Sequence, residues 1–131
     1  MDFKDDVVAI STPTGMGAIA LIRITGDNAL KKVEPFFKPR SGSSISKIKS
    51  HSIIYGDFTC NDEIIDEVVL SYFAKGKSFT GQETVEISCH GSTYIQKIII
   101  EKLLTNNIRL AKAGEFTMRA FLNGKYDLTQ A

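Results

Sequence analysis

Arg23 stands in an otherwise apolar stretch, residues 18–24. An extended strand sends successive side chains to opposite faces, so Arg23 shares its face with Ile19 and Leu21. A guanidinium in such company needs an anionic partner or an outlet to water, because an unpaired buried charge is costly. Three arrangements would satisfy it: snorkelling from an edge strand, meeting a carboxylate of the same chain, or clamping a carboxylate or other anionic group of a ligand. Glu86 raises the matching question. It alternates with Thr84 and Ser88 on one face of a second stretch, opposite Val85, Ile87 and Cys89. That face is either a solvated polar surface or one that offers a carboxylate to two parallel N–H donors of a heterocycle, a charge-assisted geometry.

Other chemistry is thinly represented. Cys89 and His90 are adjacent, and neighbours on a strand diverge, which argues against a nucleophile and base pair. His51 and His90 are the two histidines of the chain and show no HxxH or HExxH spacing, so no metal site is expected. Residues 12–17 contain glycines but match neither GxxxxGK(S/T) nor GxGxxG, so no nucleotide-binding motif is expected either. Residues 38–50 carry five serines, four basic residues and no acid. They read as a surface loop or mobile segment whose functional use would be a phosphate-binding strip, although no aromatic residue is present to stack bases.

The elements that must hold Arg23 and Glu86 follow from periodicity. Residues 7–10 and 18–24 read as two strands, 52–58 and 67–73 as β-rich stretches around a polar connection at Asn61 and Asp62, and 84–89 as a half-buried strand. Asp27 reads as the cap of a short helix that turns Ala29, Leu30, Val33 and Phe36 inward and is limited by Pro35. Thr93 reads as the cap of the clearest helix. Gln96 completes its capping box, Ile95, Ile98, Ile99 and Leu103 form its buried stripe, and Asn106 with Asn107 ends it. Several strands and a few helices without regular βαβ alternation predict an α+β fold on a mixed β-sheet with a few packed helices.

Composition narrows the setting. With 131 residues, 43% hydrophobic, the chain can bury a core as one domain. Sixteen basic against fifteen acidic side chains leave a net charge of +1, so no global field favours nucleic acid or an anionic membrane. Two cysteines without CxxC spacing, and no signal-like N-terminus, suit a cytoplasmic location. No apolar run approaches the ~20 residues of a membrane span.

Residues 113–131 look unfinished. Gly114 opens a short helix with Phe116, Ala120 and Phe121 on one face, and Asn123 with Gly124 tolerates the left-handed backbone that ends it. Asp127 reads as a further N-cap with Gln130 as its capping-box partner, and nothing follows to fill that helix. The chain therefore reads as an N-terminal fragment, with one domain over residues 1–122 and the start of a helical domain at 123–131.

Four ordered motifs carry a resemblance. They are Ala9-Ile10-Ser11-Thr12-Pro13 with Gly15, Gly17 and Ile22-Arg23-Ile24-Thr25-Gly26; Ser78-Phe79-Thr80-Gly81 through Val85-Glu86-Ile87; Cys89-His90-Gly91; and Gly114-Glu115-Phe116-Thr117 through Arg119-Ala120-Phe121-Leu122-Asn123, with Lys125 and Asp127-Leu128. Together they resemble the MnmE (TrmE) family of tRNA modification GTPases. Ser92 stands where the family usually has a second glycine, and Ala113 where it usually has proline. The resemblance implies a fold similar to the tetrahydrofolate-binding part of the glycine cleavage T protein, and pairing with a second copy as a homodimer. It also implies a reduced folate, in the 5-formyl or 5,10-methylene form, held by Arg23, Glu86 and Lys125 near the dimer interface. GTP, magnesium and potassium would belong to a domain downstream of this chain. In the intact protein, the implied activity is addition of an aminomethyl-type group to C5 of the wobble uridine of certain tRNAs, together with the FAD-dependent partner MnmG. The chain alone is expected to have no catalytic residues and to be no enzyme. The rivals from other classes are a free-standing folate-dependent aminomethyl or formyl transferase and a tRNA-binding module centred on residues 38–49.

Overall fold

The alternation around Arg23 and Glu86 builds a sheet with one dry face. Strand β2 (Ile19–Gly26) sends Ala20, Ile22 and Ile24 into the core, and β6 (Glu83–His90) sends Val85, Ile87 and Cys89 to the same side. The structure, a computed structural model, describes residues 3–12 and 17–124. Within them β1 (Val7–Ile10), β3 (Phe37–Pro39), β4 (Ser52–Cys60), β5 (Glu63–Phe73) and β7 (Arg109–Leu110) complete a seven-stranded sheet in the order β3-β4-β5-β6-β2-β1-β7. Its pairs are antiparallel except β1 with β7, so the sheet is mixed and the fold α+β, as expected.

Two helices cover the dry face. α1 (Ala29–Val33) buries Ala29, Leu30 and Val33, and at Pro35 it gives way to a 3-10 turn, Glu34–Phe36, that stacks Phe36 on Phe58 with centroids 5.6 Å apart. Its N-cap is Asn28, not Asp27, and the Asn28 N–H donates to Asp6 Oδ1 at 2.8 Å. α2 (Thr93–Leu104), by contrast, starts one residue earlier than the spacing suggested: Ser92 is the N-cap, and its Oγ accepts from the Ile95 N–H at 3.4 Å. The expected capping box is therefore absent. Gln96 is buried and donates instead to the Gly91 carbonyl. The buried stripe is Gln96, Ile99 and Leu103, flanked by Ile95 and Ile100, with Ile98 off to one side.

β4 and β5 run longer than the sequence indicated. Asn61 and Asp62 both take left-handed φ, 51° and 64°, and such a two-residue turn matches the strand twist, so pairing continues to Cys60 and Glu63. The serine-rich segment is anchored: residues 37–39 form β3, Ile45 is buried in the core, and two of its four cations are paired. Arg40 Nη2 lies 2.8 Å from Asp57 and 3.1 Å from Glu67, and Lys38 lies 3.2 Å from Asp62. That pairing removes much of the free positive charge on which a phosphate-binding strip would depend. Among the described residues no helix is long and apolar enough to cross a membrane.

Candidate functional site

The other face of the sheet carries the chemistry. β2 and β6 pair with Arg23 opposite Glu86, so residues 63 positions apart become direct cross-strand neighbours. Arg23 Nε donates to Glu86 Oε2 at 2.7 Å, and Nη2 forms an ion pair with the same oxygen, also at 2.7 Å. β2 lies between β6 and β1, which excludes snorkelling from an edge. The guanidinium thus meets an internal carboxylate. Among the described residues the pair is not saturated. Both nitrogens converge on one oxygen, leaving Oε1 and Nη1 without a hydrogen bond there, and the side chains keep 24% and 17% of their surface exposed. An acceptor and a donor therefore sit side by side, charge-assisted and partly desolvated.

Two aromatic rings approach this pair from other elements. The Arg23 guanidinium carbon lies 5.7 Å from the Phe79 ring centroid and 5.9 Å from that of Phe116. Phe79 sits on the connection between β5 and β6, held by hydroxyls beneath it: Thr25 Oγ1 bonds to Thr80 Oγ1 at 2.7 Å and to Thr84 Oγ1 at 2.8 Å. Phe116 sits on α3 (Glu115–Leu122). That helix is fixed to the same connection by Asn123, whose Nδ2 donates to the Thr80 carbonyl, and by Arg119, whose Nη1 donates to Gln82 Oε1.

α3 buries a different face from the one its sequence advertises. Glu115, Arg119 and Ala120 are buried, while Phe116 and Phe121 are half-buried. Arg119 has no exposed surface. Its five bonds run to Asp5 Oδ1 and carbonyl, Glu115 Oε2 (from Nε and Nη2) and Gln82 Oε1, with Phe3 beneath its guanidinium. Arg109 adds bonds to both oxygens of Glu115 and pairs with Asp5. Burial opposes ionisation of Glu115, but bonds from Arg109, the Lys112 N–H and Arg119 overcome it and hold its carboxyl at about 2.

Further along the Arg23 face, an open groove of about 300 Å³ is lined in part by Ile19, Tyr55, Glu67, Val69, Ser88 and His90. His90 is oriented by Asp66, which accepts the His90 backbone N–H at 2.8 Å and bonds Nδ1 at 2.7 Å. This partner was invisible in the sequence because it comes from a neighbouring strand. Cys89 points to the core, where burial pushes its thiol up to about 11, so it forms no dyad with His90. Gly91 follows because a Cβ there would overlap the Gly17 carbonyl. No group of three or more His, Cys, Asp or Glu among the described residues could hold a metal ion. Lys125 and the Asp127 and Gln130 capping residues lie outside the described residues.

Comparison with known proteins matches nearly the whole chain. The family model described as "GTP-binding protein TrmE N-terminus" matches residues 6–125. A tRNA modification GTPase MnmE from Flavobacterium psychrophilum is 52% identical over 131 residues, one from Christiangramia forsetii 50% over 131, and one from Clostridioides difficile 47% over 131. Each alignment covers 100% of this chain and 28% of the relative, so the chain spans little more than a quarter of their length.

Proposed function

The chain belongs to the family of the GTP-binding protein TrmE N-terminus, and on that premise we propose that it binds a reduced folate at Arg23 and Glu86, with Lys125 as a third contact. What supports this is the unsaturated cross-strand pair. Glu86 Oε1 can accept from the N–H donors of a pterin edge while Arg23 presents N–H groups to an adjacent carbonyl, carboxylate or formyl oxygen. The donor set therefore fits the cofactor. A tetrahydrofolate bound there would supply a one-carbon unit, and this chain's residues would bind and orient it.

The wider assignment is part of the same proposal. The domain pairs with a second copy of itself, and the intact protein is a cytoplasmic GTPase that modifies C5 of the wobble uridine in tRNA with MnmG. GTP and its metal ions would bind outside this chain, and no catalytic step is assigned to the chain itself. Calorimetric titration with 5-formyltetrahydrofolate tests the folate site. Saturable binding that is lost in Arg23→Ala and Glu86→Ala is expected. Unchanged affinity in both variants would place the ligand elsewhere.

A further inference from the structure

The connection between β5 and β6 inverts the usual partition of side chains. Ser78, Thr80 and Gln82 are buried, Thr80 completely, whereas Phe79 between them is 39% exposed. Leaving a phenylalanine out while burying its polar neighbours forfeits apolar burial, and the loop recovers stability by satisfying each buried polar group. Ser78 Oγ donates to the Gln82 carbonyl, Thr80 bonds Thr25, and Gln82 donates to the Phe3 carbonyl. α3 repeats the inversion: Glu115 and Arg119 are buried, and Phe116 between them is left half-exposed. Both displaced rings face the same group, the Arg23 guanidinium, at 5.7 and 5.9 Å. Two independent elements thus sacrifice burial to hold aromatic surface beside an unsaturated donor and acceptor pair.

We propose that Phe79 and Phe116 are the ring-contacting walls of the ligand site, giving a flat heteroaromatic ligand its stacking surface while Arg23 and Glu86 read its edge. This deepens the folate reading and rests on it. A guanidinium is itself flat and cationic, so it lies against the same aromatic surface through cation–π contact. A ring that bonds to Glu86 Oε1 enters beside it and gains the stacking that every π-face can offer.

The chain contains no tryptophan, which makes the test direct. Phe79→Leu keeps an apolar side chain but removes the π-face, and its affinity for 5-formyltetrahydrofolate should fall about tenfold. Phe79→Trp should restore most of that loss, and its single indole should be quenched by the ligand, saturating at the calorimetric Kd. Phe116→Leu should weaken binding in the same direction. Affinity within twofold of the parent in Phe79→Leu, with binding lost in Arg23→Ala, would overturn the aromatic walls and leave the folate site standing. Indole emission unmoved at saturating ligand would overturn them even if Phe79→Leu did not fold. No binding by the parent chain would overturn the underlying reading and this inference together.

Discussion

Two arginine–carboxylate pairs lie on the same side of this sheet, and they differ in what is left over. Arg119 and Glu115 are buried, and every bond they can make is made within the fold: to Asp5, Gln82, Arg109 and the Lys112 N–H. Arg23 and Glu86 are partly exposed, share a single oxygen and are flanked by rings rather than further hydrogen-bonding groups. A saturated network has no capacity for a ligand and serves to fix the first residues, β7 and α3 in place. An unsaturated pair adds little to stability but holds recognition groups ready in fixed geometry. Residual bonding capacity, more than charge or burial, separates the pair proposed to bind folate from the structural one.

The sharpest way to break this comparison is at Arg119. Arg119→Ala leaves Glu115 buried with a weakened set of partners and Gln82 Oε1 without its donor, and should destabilise the fold by about 3–5 kcal/mol in urea unfolding. A loss under about 1 kcal/mol would mean that the cluster is dispensable. Acid should act on the same network. Glu115 titrates at about 2 in the fold against an ordinary 4.5, so its ionised form is the one the fold prefers. The corresponding stability, roughly 3 kcal/mol, is complete above about pH 4.5 and lost as pH falls toward 2. Asp5 is lowered too, first by its bond from Arg109, and adds in the same direction. Thermal melts across that window, on the parent and on Glu115→Gln, should show the parent's acid sensitivity blunted in the variant.

At the other pair the effect should move from stability to affinity. Glu86→Gln replaces one acceptor with a donor and should weaken folate binding by about 2–4 kcal/mol, while unfolding free energy changes by no more than about 1 kcal/mol. Arg23→Lys should also weaken binding, because an ammonium cannot reproduce the planar fork. The smallest effect belongs to Arg40, whose side chain stays 48% exposed in its pairs with Asp57 and Glu67. Arg40→Ala should leave the melting temperature unchanged within error at physiological salt.

Strand alternation made half of this legible. The faces of Arg23 and Glu86, the core residues of β2 and β6, and the existence of α2 all follow from periods of two and 3.6. Their pairing did not, because register between strands 63 residues apart is a tertiary property. The buried face of α3 was misread for a related reason. Charged residues on a short helix default to solvent, and the i,i+4 spacing of Glu115 and Arg119 by itself suggests only a surface pair. Arg109 and Asp5, which make burial tolerable, are distant in sequence. The start of α2 was missed by one residue because Ser92 and Thr93 are both good caps, and local sequence does not decide between them. The outward turn of Phe79 was not legible in the sequence, because only the buried hydroxyls around it reveal it.

The most direct test measures both properties in both pairs: folate affinity by calorimetry and unfolding free energy in urea, for Glu86→Gln and Glu115→Gln side by side. The account predicts that Glu86→Gln loses affinity and keeps stability, while Glu115→Gln loses stability and, where still folded, keeps affinity. If Glu86→Gln instead loses stability and, where still folded, binds folate as tightly as the parent, the Arg23–Glu86 pair is structural and the ligand site is elsewhere.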